Sequence, residues 1–211
     1  MRRTLICVLV LFAVLGLGVV VNAGSMSGTG YSFDAPQLAG ATVQNFDSAA
    51  VGVYMTGVFG NVTISSSTNM PYRISTDYAG SYNNPGIALE NGTYDSGLTT
   101  NVLFQFPSSV SAFAFSWGAS DKNASLTVYS DAAGTNAIES MALPIVGFSN
   151  NGEWYGLYAA TPSINSARIM FTDGDWCFVD ELHYVGSVIP TPAAGWAGVA
   201  LLSVMGLRRR R

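Results

Sequence analysis

Short runs of alternating apolar and polar residues fill the middle of this 211-residue chain, and clusters of Gly, Asn, Ser and Pro separate them. In the clearest run, 111–117, large aromatic residues alternate with alanine and serine. Successive side chains of a strand point to opposite faces, so this run predicts a strand packed on both faces. Long amphipathic helical patterns are absent from the body of the sequence, and we therefore expect an all-β fold.

The spacing of these runs predicts about nine or ten strands, enough for a single antiparallel β-sandwich of jelly-roll-like type. The predicted strands cover 42–47, 58–65, 102–106, 111–117, 125–130, 137–143, 153–159, 167–172 and 176–184. Residues 24–30 are predicted to be a flexible start, 69–100 to be long loops with one short strand, and Pro-Ser-Ser at 107–109 to be a turn.

The amino terminus has the order of a secretory signal peptide. Arg2 and Arg3 precede an apolar core over 5–21, and the small residue Ala23 offers a cleavage site. We expect residues 1–23 to be a signal helix that is removed, leaving a passenger domain over 24–187.

The carboxyl terminus, 188–211, combines three features in order. Pro190, Thr191 and Pro192 form a motif that cannot join a helix. An apolar run over 193–207 follows, of about 15 residues against the ~20 that cross a bilayer comfortably. The chain closes on Arg208, Arg209, Arg210 and Arg211. A short transmembrane helix that ends in fixed positive charge is expected to stop with the arginines in the cytoplasm.

This tail resembles the PEP-CTERM sorting signal of Gram-negative bacteria, with Thr191 in place of the central glutamate. The resemblance implies recognition by an exosortase-type transpeptidase, anchoring at the inner membrane before processing, and final residence in the cell envelope or extracellular matrix. An ordinary C-terminal membrane anchor is the alternative.

Charge and cysteine content narrow the function classes further. Outside the two ends, only Arg73, Lys122 and Arg168 oppose all thirteen acidic residues, a formal charge of −10. Such an acidic domain repels phosphate backbones, which argues against nucleic-acid binding. Cys177 is the single cysteine of the passenger and is expected to be a buried thiol.

A second resemblance concerns the passenger itself. Four segments are similar to passenger domains of PEP-CTERM proteins: Gln44-Asn-Phe-Asp47, the strands at 113–117 and 154–158, and the closing Val179-Asp-Glu-Leu-His-Tyr184. The resemblance implies a jelly roll similar to carbohydrate-binding modules and lectins, with binding of extracellular polysaccharide as the expected activity.

No catalytic residues are predicted. His183 is the single histidine and no Gly-x-Ser-x-Gly motif accompanies it, so a hydrolase triad is not indicated. Asp180 and Glu181 are adjacent, and on a regular strand they point to opposite faces. A small secreted polysaccharide hydrolase, with carboxylates paired through space, remains the alternative function.

Two kinds of binding site are candidates. Asp34, Asp47 and Asp180 are candidate ligands of a structural Ca²⁺ of the sort that many lectin-like jelly rolls carry, and Asp173 and Asp175 offer suitable ligands in a turn. Turn formation is the alternative role for these aspartates. Candidate aromatic residues for sugar binding are Trp154, Tyr155, Tyr158 and Trp176, with core packing as the alternative. We expect a non-catalytic, structural, adhesive or glycan-binding protein outside the cytoplasm.

Overall fold

The computed structural model describes residues 23–30, 32–66, 70–81, 84, 86–91, 101–147, 152–171, 175 and 177–186. These residues form thirteen strands and a single 3₁₀ turn at Pro36–Leu38. The strands are β1 (Ala23–Thr29), β2 (Thr42–Gln44), β3 (Gly52–Tyr54), β4 (Thr56–Phe59), β5 (Val62–Ser66), β6 (Tyr72–Ser75), β7 (Ala88–Asn91), β8 (Asn101–Gly118), β9 (Ala124–Tyr129), β10 (Ala137–Leu143), β11 (Glu153–Ala159), β12 (Ile164–Phe171) and β13 (Phe178–Gly186).

All strands join one curled antiparallel sheet that is organised around the 18-residue strand β8. The first half of β8 pairs with β5 and β12, and from there the sheet continues through β4 on one side and β9 and β10 on the other. The second half pairs with β11 and β13, which extend to β1, β2, β7, β6 and β3. The predicted all-β antiparallel architecture is therefore confirmed for the described part of the chain.

The alternation in β8 divides its side chains between two apolar clusters. Phe113, Phe115 and Trp117 lie in the main core between the two halves of the sheet. Ala112 and Ala114 face outward and are buried in a second cluster. Residues from 33–41 pack against these alanines, which explains why that side of β8 carries only small residues. The expected packing of this strand on both faces is confirmed.

Several strand predictions are corrected by the structure. Residues 24–30 form most of β1 and are not a flexible start. The predicted strand 58–65 is a hairpin of β4 and β5 that turns at Gly60, whose φ of 57° suits glycine. Residues 69–100 contain two strands, β6 and β7, and the short strand β3 was missed.

The predicted turn at 107–109 is also wrong, because β8 runs through it. Pro107 cannot donate a backbone hydrogen bond, and a proline inside a sheet is tolerated only where none is needed. The pairing with β12 is interrupted between Gln105 and Val110, and pairing begins at Val110 with β13 and at Ala112 with β11. Pro107 therefore lies where β8 changes neighbours, and its missing N–H breaks no pairing.

Both predicted targeting segments fall almost wholly outside the described residues. Ala23, expected to be the last residue of the signal peptide, is the first residue of β1 and pairs with Ala159. The motif and arginines of the tail, 190–211, lie outside the described ranges. Within those ranges there is no helix long and apolar enough to span a membrane.

Candidate functional site

A bulge in β13 sets the positions of the acidic residues on this strand. Asp180 pairs with Ser116, whereas the next residue in register, His183, pairs with Ala114. Glu181 occupies the bulge with a φ of 48°, the left-handed region that a non-glycine residue rarely adopts. The extra residue puts Asp180 and His183 on the same outer face. The regular strand that the prediction assumed at Asp180 and Glu181 is therefore interrupted at this point.

Asp180 is a buried carboxyl group that is only half satisfied. Its exposure is 1%. One oxygen, Oδ1, accepts the main-chain N–H of Glu181 at 2.7 Å, while Oδ2 has no hydrogen-bond partner among the described residues. Burial is the largest of the causes that together raise the pKa of Asp180 to about 7. The charges of Glu181 and Asp47 also raise it, whereas the main-chain N–H groups of Glu181 and Phe46 lower it. An unpaired buried oxygen on an acid of this kind is costly, and it requires an explanation.

Asp47 is brought to this place by a separate part of the chain. It follows the fully buried Phe46, and its Oδ1 accepts the N–H of Ile87 at 3.2 Å. A Cβ on Gly86 would lie 1.9 Å from the same oxygen, so a side chain at this position would force the carboxylate to move. Burial and the charge of Asp47 also raise the pKa of Glu181. We call Asp47, Asp180 and Glu181 the carboxylate cluster.

The carboxylate cluster matches part of the predicted calcium set. Asp47 and Asp180 act on each other, but Asp34 is exposed and is not among the charges that shift the pKa of Asp180. Glu181 was missed, since its position depends on the bulge. No three His, Cys, Asp or Glu side chains within the described ranges are arranged to hold a metal by themselves.

The donor chemistry of the cluster therefore decides which cation it suits. The site does not fit zinc, which takes several Cys or His ligands. It fits Ca²⁺, which takes carboxylates together with main-chain carbonyls and water. The unpartnered Oδ2 of Asp180 is the observation behind this fit.

Asp175 has a structural role, and its hydrogen bonds are made to residues outside the carboxylate cluster. Its carboxylate accepts the hydroxyl of Ser120 at 2.9 Å and the main-chain N–H groups of Asp121 at 3.0 Å and Lys122 at 3.2 Å. Burial raises the pKa of Asp175. These bonds fix the turn after β8, so Asp175 corresponds to the turn-forming alternative. Asp173 lies outside the described residues.

His183 is held in the second apolar cluster by an aromatic stack. The ring of Phe33 lies 3.7 Å from its imidazole, nearly parallel, and also stacks on Trp154 at 5.2 Å. Burial lowers the pKa of His183 to about 4, so the ring is neutral at physiological pH. The geometry assigns a packing role to this histidine, in agreement with the sequence. Cys177 is buried, as predicted.

The candidate sugar-binding aromatics do not form one platform. Trp154 is 1% exposed, and its indole lies over Gly28 of β1, so its face cannot contact a sugar. Tyr158 lies on the same side, over Gly24. Tyr155 points to the opposite face, where it packs at the margin of the main core. Trp176 lies outside the described ranges.

Polar side chains surround Tyr155 next to the edge strand β1. Its hydroxyl donates a hydrogen bond to the Oε2 atom of Glu153. On the neighbouring edge strand, Ser27 pairs with Tyr155 and Thr29 pairs with Glu153, and both residues are exposed. A half-buried ring beside a carboxylate and two hydroxyl groups offers an apolar face and hydrogen-bonding groups together. We call these four residues the Tyr155 edge.

No family model matches this sequence, and no curated protein matches it. Among solved structures, the K2 cleaved adhesin domain of Lys-gingipain is similar, with a TM-score of 0.46 and 8% identity over 70% of this chain and 98% of that one. TmCBM61 in complex with β-1,4-galactotriose has a TM-score of 0.35 and 13% identity, over 68% and 95% of the two chains. The CBM32 and M60 domains of ZmpB from Clostridium perfringens give 0.42 and 10%, over 77% and 17%. At TM-scores below 0.5 these likenesses carry no information on what this chain binds.

Proposed function

We propose that this chain is an exported, non-catalytic protein of the bacterial envelope or extracellular matrix, with a structural or adhesive role in binding polysaccharide. The Tyr155 edge is the observation that carries the binding role. Tyr155 is half-buried beside the edge strand β1, and hydroxyl and carboxylate groups lie alongside it. The C-terminal signal supplies the address, through an exosortase-type transpeptidase and a membrane-spanning tail.

The carboxylate cluster supports a binding role over hydrolysis. A glycosidase acid must reach the glycosidic oxygen of its substrate. Asp180 has a pKa suited to such an acid, but it is buried beneath the surface and a polysaccharide cannot contact it. We propose that Asp47, Asp180 and main-chain oxygens hold a structural Ca²⁺ instead. A bound cation would supply the positive charge that offsets burial of Asp180.

Glycan binding is tested with the full-length protein in mild detergent, on immobilised polysaccharides and a glycan array. We expect binding to at least one polysaccharide, with no release of reducing ends. Tyr155→Ala is expected to abolish the binding because it removes the apolar face. Glu153→Gln is expected to weaken it at least about tenfold, the loss of one charge-assisted hydrogen bond.

Tyr158→Phe is the matched control, since this tyrosine lies on the opposite face of the same strand. It is expected to bind as the wild type does. Binding that survives both Tyr155→Ala and Glu153→Gln in folded protein would contradict the assignment of this edge. Steady release of reducing ends would favour the hydrolase.

A further inference from the structure

A long uncharged segment occupies one edge of the sheet. No charged residue occurs between Asp47 and Arg73, although the rest of the domain is strongly acidic. This segment includes β3, which ends the order of paired strands and pairs with β6 alone among the described strands. Natural proteins usually place charges or proline on such edges to prevent pairing with other chains. β3 has neither.

The outward side of this edge is apolar. Val51, Val53 and Met55 alternate along the chain and are exposed, with Val53 at 64%. The intervening Tyr54 points inward and stacks against Tyr72 of the core. Val58, on the next strand, is a further exposed apolar residue. Most other large apolar residues of the described domain are buried, and a concentration of exposed apolar residues is typical of an interaction surface. We call the four exposed residues the neutral edge.

The charged residue that pairs with β3 is already neutralised within the chain. Arg73 is the cross-strand neighbour of Val53 on β6. Its guanidinium contacts the carboxylate of Asp77 at 3.1 Å and lies 3.9 Å from that of Glu90. An incoming acidic partner therefore gains little from this arginine, and a basic partner would be drawn to the acidic surfaces instead.

We propose that the neutral edge docks a second copy of this chain, with the two β3 strands antiparallel about a two-fold axis at Val53. Two copies of an acidic domain repel each other wherever their acidic surfaces meet, and the neutral edge is where they can approach without that cost. An edge strand is self-complementary in this arrangement. Each residue before Val53 in one copy faces the residue that lies equally far after Val53 in the other copy. Val53 then faces Val53 of the other copy.

The arrangement predicts a specific cross-link. Residues directly opposite in an antiparallel pair have Cα atoms about 4.5–5.5 Å apart, within the range of about 4.4–6.8 Å that a disulfide needs. Val53→Cys, built on Cys7→Ser in the full-length protein in mild detergent, should form a disulfide-linked dimer under mild oxidation. Ile145→Cys is the control, because Ile145 is similarly exposed at 54% but lies after β10. It should give little dimer, and Cys177 is buried in both variants.

Sedimentation velocity supplies the second measurement. We expect the wild type to dimerise, and more strongly at higher salt, because salt screens the repulsion between acidic domains. Val53→Lys should raise the dimer dissociation constant at least about tenfold, with unchanged circular dichroism. The proposal is wrong if Val53→Cys cross-links no more than Ile145→Cys, or if folded Val53→Lys dimerises as the wild type does.

Discussion

Replacing Asp180 by asparagine should change how the stability of this domain depends on pH. The folded domain holds this carboxyl with a pKa of about 7, whereas its ordinary value is 3.8. Each pKa unit corresponds to about 1.4 kcal/mol of stability. Ionising Asp180 in the folded state therefore costs up to about 4 kcal/mol. Asparagine has nearly the same shape and cannot ionise, so it avoids this cost.

Whether stability rises or falls with pH depends on whether the folded or the unfolded state binds more protons. Below pH 4 the carboxyl is protonated in both folded and unfolded chains and has no effect. Between pH 4 and 7 the unfolded chain has lost the proton while the folded chain keeps it, so stability falls as pH rises. His183 acts in the opposite direction, since its pKa is lowered to about 4 and the unfolded chain binds the proton more readily. The two groups largely cancel in the wild type between pH 4 and 6.5.

His183 contributes equally to both proteins, so its contribution cancels when the free energy of unfolding of the wild type is subtracted from that of the variant. The free energy of unfolding is measured with denaturant in the presence of a calcium chelator. We expect its value for Asp180→Asn, relative to the wild type, to increase from pH 4 to 7. The gain should approach about 4 kcal/mol and then level off. A difference that stays flat over this range would refute the reasoning about Asp180.

Calcium should close most of this gap in stability at neutral pH. A ligand that binds only the folded protein at 100 times its dissociation constant stabilises it by about 2.7 kcal/mol. We expect that stabilisation for the wild type and much less for Asp180→Asn, which lacks one ligand charge. Equal stabilisation of the two proteins by calcium would show that the cation binds elsewhere.

Three further changes test other parts of the account. Phe33→Ala should destabilise the domain by about 3–5 kcal/mol and should move the pKa of His183 upward toward 6.5, followed by NMR of this single histidine. Gly28→Ala should cost about 1–3 kcal/mol, because the new methyl group would lie 2.4 Å from the indole nitrogen of Trp154. Gly186→Ala is its control, with open space around the added carbon, and should change stability by less than about 0.5 kcal/mol. Deleting the four terminal arginines should release the protein from the membrane fraction, and unchanged fractionation would contradict the anchor.

The strands were predictable where alternation is strong and side chains are large. Strands β10 and β11 begin and end at the predicted residues. β1 was not predicted, because its Gly and Ser residues read as a loop. Its glycines at 24 and 28 instead leave room for the rings of Tyr158 and Trp154, and the strand is stabilised by pairing with β11.

The candidate site depends on features that alternation cannot show. Asp47 and Asp180 lie far apart in sequence and meet only through the sheet order, which local patterns do not specify. The bulge at Glu181 shifts every later side chain of β13 by one position, and no glycine marks it in the sequence. Trp154 and Tyr155 look equivalent in the sequence, yet strand geometry buries Trp154 and leaves Tyr155 half-buried on the opposite face.

The central claim, that an acidic β-sandwich is delivered outside the cytoplasm, is tested most directly by fractionating cells that produce the protein natively and sequencing the amino terminus of the recovered protein. We expect the protein in the envelope or extracellular fraction, with its chain beginning at Gly24. Recovery from the cytosol with Met1 still in place would contradict the account.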